Sequence, residues 1–284
     1  MNISELFPVS FPCMKVKIKK AFKFRLELTE EQNERFRQFA GASRFAYNYA
    51  LARKKRLYQE TGKSITSGEI QKEITRMKQT PEYEWLNEIP SQIPQQSIQN
   101  LEGAFARFFN KRSGFPKFKK KQSWIQSFRI PQNIKVKDSR VFVPKLGYVK
   151  MIQSRAIEGT IKGATFRASP GGHWFVSINT ECIVEKPAEI VVSDCTGIDL
   201  GLKDVVVTSR GDKEPAPRFF RQGERKIKRL NRTLSRKVRG SKNRTKARKA
   251  LARAHQRIAN QRADFTHKVT IKLIRNHAAL AFEY

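Results

Sequence analysis

The chain has 284 residues, with 58 Lys and Arg against 25 Asp and Glu and a net charge of +33. An excess this large points to a polyanionic partner, a phosphate backbone ahead of an anionic membrane surface, and 39% hydrophobic residues exclude a disordered basic tail. No run approaches the roughly 18 apolar residues of a membrane span, and Cys13, Cys182 and Cys195 are too few and scattered for a disulfide framework or a Cys-x-x-Cys zinc site, which fits a reducing cytoplasm.

Met1 to Pro12 has an apolar patch but neither the basic start nor the cleavage site of a signal peptide. The patterned sequence begins at Lys15, so residues 1–14 read as a leader and Met14 as a candidate start. From Val16 the apolar residues alternate (Val16, Ile18, then Phe22, Phe24, Leu26) with Lys17, Lys19, Lys23 and Arg25 on the other face, which predicts a strand with one buried and one cationic side. Thr29-Glu30-Glu31-Gln32 is a capping box. The helix after it lines up Phe36, Phe39, Ala40, Ser43, Tyr47, Ala50 and Leu51, tolerates Gly41 and ends at Gly62. Thr66-Ser67-Gly68-Glu69 opens a second helix through Met77, and Gln95 to Lys111 reads as a third, with Ile98, Leu101, Phe105 and Phe108 inward.

The linker from Lys111 to Lys121 carries Lys111, Arg112, Lys117, Lys119, Lys120 and Lys121 with no acid, interleaved with Phe115 and Phe118 and followed by Trp124. Cations that hold phosphates and rings that stack on unpaired bases suit nucleic acid. A solvated charge run whose aromatics anchor it to a core has the same composition. From Ser127 to Val192 the pattern is β: Val141, Val143, Tyr148, Val149 and Met151 fit short strands, and Pro170-Gly171-Gly172 marks a hairpin. A small barrel or sandwich is expected, to which the strand 16–26 returns, with the helical block as an insertion.

Thr196-Gly197-Ile198-Asp199-Leu200-Gly201 then reads as a buried strand carrying one acid into a tight turn, with Val205 to Thr208 as the next strand and Arg218-Phe219-Phe220 as a third. A carboxylate there is either an ordinary strand-end acid beside a turn or a metal ligand. Ala278 to Phe282 is another short apolar run that closes on an acid, Glu283. Between them, residues 223–262 hold sixteen Lys and Arg and one acid, Glu224. Ile227, Leu230, Leu234 and Val238, then Ala247, Ala250, Leu251, Ala254 and Ile258, recur at helical spacing. They predict two amphipathic basic helices broken at Gly240-Ser241, with a third helix over 263–276. With so few acids to balance it, this face reads as a phosphate-binding surface through Arg225, Lys228, Arg229, Arg232, Arg236, Lys237, Lys242, Arg244, Arg248, Arg253 and Arg257. His173, His255, His267 and His277 lack metal-ligand spacing; Asp204 reads as a turn residue and Asp264 as a capping or salt-bridging acid.

Taken together, Gly41-Ala42-Ser43-Arg44-Phe45-Ala46-Tyr47-Asn48-Tyr49-Ala50-Leu51, Gly114-Phe115-Pro116-Lys117-Phe118-Lys119, Gly197-Ile198-Asp199-Leu200-Gly201, Ser241-Lys242-Asn243-Arg244 and Asn260-Gln261-Arg262-Ala263-Asp264-Phe265-Thr266-His267 resemble the TnpB (OrfB) proteins of bacterial insertion sequences, relatives of type V CRISPR effector nucleases. The resemblance covers 15–284. It implies an α+β multidomain protein: a split β-barrel wedge domain (15–28 and 123–193), a helical recognition insert with a helix-turn-helix-like start (29–122), and a partial RuvC/ribonuclease-H-like α/β domain (194–284) with a basic helical insert (223–276). It implies RNA-guided DNA cleavage in a bacterial or archaeal cytoplasm, DNA and a guide RNA as partners, and two Mg²⁺ ions. Asp199 and Glu283 match two of the family's catalytic, metal-holding carboxylates, and Arg44, Tyr47 and Asn48 fall in a motif expected to contact nucleic acid.

The sequence departs from the family after Tyr284: the four-cysteine zinc ribbon and the third carboxylate are not among these residues. The expectation is a truncated product that does not cleave DNA alone. The alternatives are a binding-only RNA-guided repressor and a plain basic DNA- or RNA-binding protein.

Overall fold

A computed structural model describes residues 15–121, 126–185, 195–277 and 279–282. The expectations placed on residues 1–14, Trp124, the end of the β region (186–194) and Glu283 lie outside the described residues. The chain is α+β and divides into two compact units, one over Lys15–Val184 and one from Glu185 onward.

In the first unit the opening strand β1 (Lys15–Glu27) buries Phe22, Phe24 and Leu26 while Lys23 and Arg25 point to solvent. The inward face begins only at Phe22, because Val16 is exposed and Ile18 half-buried. Six more strands follow the helices: β2 (Ser127–Ile130), β3 (Val136–Lys137), β4 (Arg140–Val143), β5 (Gly147–Ile152), β6 (Thr160–Ala168) and β7 (Trp174–Glu185). The sheet order is β2-β6-β7-β1-β5-β4-β3, so the first strand does return to the centre of a sheet made by residues more than a hundred positions later. The β6–β7 hairpin turns where the glycines predict it, with the Ser169 N–H donating to the His173 carbonyl at 2.7 Å.

The long helix α1 (Glu30–Thr61) starts at the Thr29 capping box and stops at Gly62 in the left-handed region (φ 68°). It serves two cores. Phe36 and Phe39 enter the sheet's core, where Phe36 sits edge-on to Phe128, Phe166 and Trp174 at 5.2, 5.4 and 5.2 Å. Each fully buried phenylalanine contributes roughly 1.5–3 kcal/mol through burial. Ala46, Tyr47, Ala50 and Leu51 pack with α2 (Ser67–Met77), a 3-10 helix (Pro81–Glu88) and α3 (Gln92–Phe109). The small residues of α1 let α3 approach closely, and the Ser43 and Ser97 hydroxyls share a buried hydrogen bond of 2.7 Å.

Gly159 adopts φ +83°, and a Cβ there would lie 2.4 Å from the Cys182 Sγ and 2.4 Å from the Glu181 carbonyl oxygen. Gly159→Ala therefore meets both left-handed strain and overlap with backbone, and is expected to cost about 2–4 kcal/mol. Denaturant unfolding followed by fluorescence, with Trp174 in this core, checks it; an unchanged midpoint would contradict the close approach.

The second unit has strands β8 (Cys195–Asp199), β9 (Asp204–Thr208), β10 (Lys213–Pro215) and β11 (Ala279–Phe282), and helices α4 (Phe219–Ser235) and α5 (Lys242–Asn276). Strand order is β10-β9-β8-β11. Two expectations need correction. Phe219 and Phe220 begin α4 rather than form a strand, because Phe219 packs edge-on against Phe265 of α5 at 6.2 Å; the third strand is Lys213–Pro215. Residues 263–276 are not a separate helix: α5 runs unbroken for 35 residues, since nothing near 259–263 is a Gly or Pro that would stop it. The break at Gly240-Ser241 is as predicted, with Gly240 at φ +87° and the Ser241 hydroxyl capping α5 by accepting from the Arg244 N–H.

Candidate acidic strand and nucleic-acid interface

Alternation along β8 puts Thr196 and Ile198 inside and Cys195 and Asp199 outside. Ile198 joins Val206 and Val269 in a small core, with Phe265, Leu273 and Leu280 packed on it. The apolar half of α5 thus covers one face of the sheet and leaves Asp199 exposed at the end of its strand. Two hydrogen bonds hold β8 beside the end of β9: the Ser209 N–H donates to the Gly197 carbonyl at 2.8 Å, and the Gly197 N–H donates to the Ser209 Oγ at 3.1 Å. Gly201 makes the following turn possible, because a Cβ there would meet the Asp204 carbonyl oxygen at 2.7 Å. Asp204 itself is the first residue of β9, directly after that turn.

β11 lies parallel to β8, pairing Ala279 with Cys195, Ala281 with Gly197 and Phe282 with Ile198. The acid expected to work with Asp199, Glu283, follows Phe282 in sequence and lies outside the described residues. His277 precedes this strand, and its Nδ1 is 3.0 Å from the Thr196 Oγ1, fixing the crossover from α5 onto β8. A shallow hollow beside β8 is lined by Gly197, Asp199, Val207, Ser209, Ala281 and Phe282, and Asp199 is its one carboxylate among the described residues. An exposed carboxylate at a strand end suits a hard, oxygen-liganded cation. Among the described residues, no group of three or more His, Cys, Asp and Glu gathers as a metal cluster. Ser209 was not singled out from sequence, and His277 was noted there only for lacking metal-ligand spacing; the roles they play depend on strand register, which leaves no local signature.

The two basic helices α4 and α5 pack against each other through Ile227 and Ile258, which are buried. Gly223 permits their contact, since a Cβ there would lie 2.7 Å from the Ile258 Cδ1. Arg225, Arg229 and Arg232 along α4 and Arg236 at its C-cap follow one another at spacings of four, three and four and are all exposed, as are Lys237, Lys242, Arg248, Arg253 and Arg257. Lys228 pairs with Glu224 at 2.8 Å. Arg244 has a different job: half-buried, its Nη1 donates to the Leu234 and Lys237 carbonyls at 3.1 and 2.8 Å, satisfying the end of α4. Asp264 pairs with Lys268 at 2.7 Å, one helical turn on.

In the first unit, Tyr47 is buried and Arg44 half-buried on α1. Asn48 clamps the linker: its Nδ2 donates to the Lys119 carbonyl at 2.9 Å and its Oδ1 accepts from the Lys119 N–H at 2.8 Å. The Lys119 ammonium rests 3.9 Å over the Tyr47 ring, and burial pushes its pKa down. Burial pushes the Tyr47 phenol up. Lys117, Lys120 and Lys121 are exposed. No helix among the described residues is long and apolar enough to cross a membrane.

A family described as "Probable transposase" matches residues 179–283, and one described as "Helix-turn-helix domain" matches residues 14–63. Over the second match the described fold is strand β1 followed by the single helix α1. The chain is 39% identical to "Putative RNA-guided DNA endonuclease InsQ" of Escherichia coli (strain K12), over 93% of its own length and 65% of the relative's. It is 32% identical to a "Putative RNA-guided DNA endonuclease" of Streptomyces pristinaespiralis, over 95% of its length and 68% of that relative's. It thus spans about two thirds of the length of both (65% and 68%). Among solved structures, a CRISPR-Cas12f ternary complex aligns with TM-score 0.40 and 13% identity, over 90% of this chain and 63% of that one.

Proposed function

The chain belongs to the TnpB (OrfB) family of insertion-sequence proteins, and we propose that it is an RNA-guided DNA-binding protein of the endonuclease type, with Asp199 and Glu283 as its paired acids. The observation that carries the reading is the parallel pairing of β11 with β8, which sets Phe282 opposite Ile198, the neighbours in sequence of the two acids. In this reading, Lys15–Val184 is the wedge and recognition half. The strand order β10-β9-β8-β11 supports reading the second unit as a ribonuclease-H-like nuclease half.

A divalent cation such as Mg²⁺, held by these acids, would supply the charge that activates a water and steadies the leaving oxygen of a phosphodiester. The chain's own residues prepare that place. Asp199 offers an exposed carboxylate on a strand whose direction is fixed by the Gly197–Ser209 bonds, and the cationic faces of α4 and α5 gather phosphates. Two carboxylates leave several positions of an oxygen-liganded cation to water and substrate, so occupancy of DNA should outlast cutting when an acid is lost.

The test is to purify the chain from cells and sequence the nucleic acid that comes with it. A discrete RNA that directs the chain to complementary DNA, without efficient cutting by this chain alone, is the expected result, and robust Mg²⁺-dependent guided cutting would overturn the expectation that it does not cleave. Binding that is purely salt-dependent, without a discrete RNA or programmed targeting, would establish a plain basic nucleic-acid binder instead.

A further inference from the structure

Residues 103–137 contain ten Lys and Arg and no acid, and within them three phenylalanine rings are exposed, Phe109 at 73%, Phe115 at 48% and Phe118 at 51%. The rings are not equivalent. Phe115 is an anchor: its ring stands edge-on to Phe105 at 5.6 Å and to Phe108 at 5.4 Å, tying the linker to the end of α3. Phe109, the last residue of α3, is offset from Phe105 at 6.2 Å and remains the most exposed of the three. Phe118 has no aromatic partner among the described residues. It lies between the Phe115 anchor and the Asn48 clamp on Lys119, so its backbone is held at both sides. The clamp holds the Lys119 backbone, and its ammonium is seated over the Tyr47 ring. Lys117, Lys120 and Lys121 remain free to solvent beside the ring.

We propose that Phe109 and Phe118 are stacking points for unpaired bases of a single DNA strand, whose phosphates are met by Lys117, Lys120 and Lys121. This rests on the reading of the chain as a nucleic-acid-binding protein but not on cleavage. Exposed rings among cations and no acids match a polyanion with π faces rather than a protein or a duplex, whose bases are already stacked. A site that demanded RNA would place partners for the 2′-hydroxyl, and from Phe109 to Lys121 only Asn110 and Ser113 carry short polar side chains. Fixing the linker at Phe115 and Lys119 pre-orders the ring between them, which lowers the entropy cost of stacking.

The experiment uses the full chain without metal or guide, and fluorescent oligo-dT and oligo-rU of about 12 nucleotides beside a blunt duplex of the same length. The Phe109→Ala/Phe118→Ala variant should bind oligo-dT about 10-fold or more weakly with duplex affinity and thermal melting unchanged. Phe109→Leu/Phe118→Leu should lose nearly as much, because leucine keeps apolar bulk but no π face. Lys117→Gln/Lys120→Gln should flatten the log affinity against log salt by about 0.7 per residue on the single strand. Unchanged oligo-dT binding by the alanine variant, equal loss on the duplex, or full recovery by leucine would overturn the stacking assignment. A larger loss on oligo-rU than on oligo-dT would overturn the assignment to DNA. Failure of the broader reading has a separate signature, a duplex affinity that ignores replacement of the α4 arginines.

Discussion

When the chain is joined to the zinc ribbon and third carboxylate of its family, Asp199→Asn is expected to lower guided, Mg²⁺-dependent DNA cutting by at least about 100-fold while leaving guide and DNA occupancy within twofold. The side chain is exposed and has no structural hydrogen bond among those that hold β8, which run through Gly197 and Ser209. Folding therefore does not depend on it. What is lost is one formal charge at the cation, where several kcal/mol of charge stabilisation are at stake and each 1.36 kcal/mol is tenfold in rate. Glu283→Gln should do the same. The double variant should be little worse than either single one, because two ligands of one ion act as a unit. Cutting assays paired with filter binding read both quantities. Unimpaired cutting by Asp199→Asn would remove β8 from the chemistry, and parallel loss of occupancy would make Asp199 a structural residue.

Replacing Arg225, Arg229, Arg232 and Arg236 together with Gln is the second large effect. These four exposed side chains form one stripe of α4, on a different side from the buried Ile227. Each phosphate contact removed lowers the slope of log affinity against log salt by about 0.9 on a duplex and about 0.7 on a single strand. If all four engage phosphate, the slope falls by roughly 3–4, and binding at physiological salt drops by orders of magnitude. Helicity should not change, since glutamine is as good a helix former and the stripe makes no core contact. Arg244→Gln is the internal control of opposite character: it unsatisfies the Leu234 and Lys237 carbonyls and should loosen the end of α4 with little change in salt slope. A slope untouched by the four replacements would mean that this surface is solvated rather than occupied.

The features legible in sequence were those written locally. Thr29 and Thr66 carry their capping glutamine and glutamate three residues on, and both boxes are present. Phe22, Phe24 and Leu26 alternate and are buried, and the Pro170-Gly171-Gly172 hairpin closes as its glycines require. Misreadings arose where a distant partner decides. Phe219 and Phe220 look like strand residues by propensity, but Phe265 draws the first of them into a helix-helix contact. The supposed third basic helix is the continuation of α5, for its apolar face changes partners from α4 to the sheet without changing conformation. In the acidic site, the position of Asp199 at a strand end could be anticipated, while the Gly197–Ser209 bonds and the Thr196–His277 contact could not. The linker shows the same limit: its basic and aromatic composition was plain, yet Lys119 differs from Lys117 and Lys120 only because Asn48 and Tyr47, 71 and 72 residues earlier, hold it.

The position of β1 in the middle of its sheet has a consequence for synthesis. Its neighbours are β5, ending at Ile152, and β7, ending at Glu185. At roughly 5–20 residues per second, the first strand leaves the ribosome some ten to thirty seconds before β7 exists to pair with it. During that interval α1, α2 and α3 can form from contacts that are close in sequence, but Phe36 and Phe39 have no sheet to cover them. The nascent chain thus carries a helical block with a sticky aromatic end and an unpaired strand studded with lysines. Its assembly is governed by the late arrival of the hairpin around Gly171 rather than by the early helices.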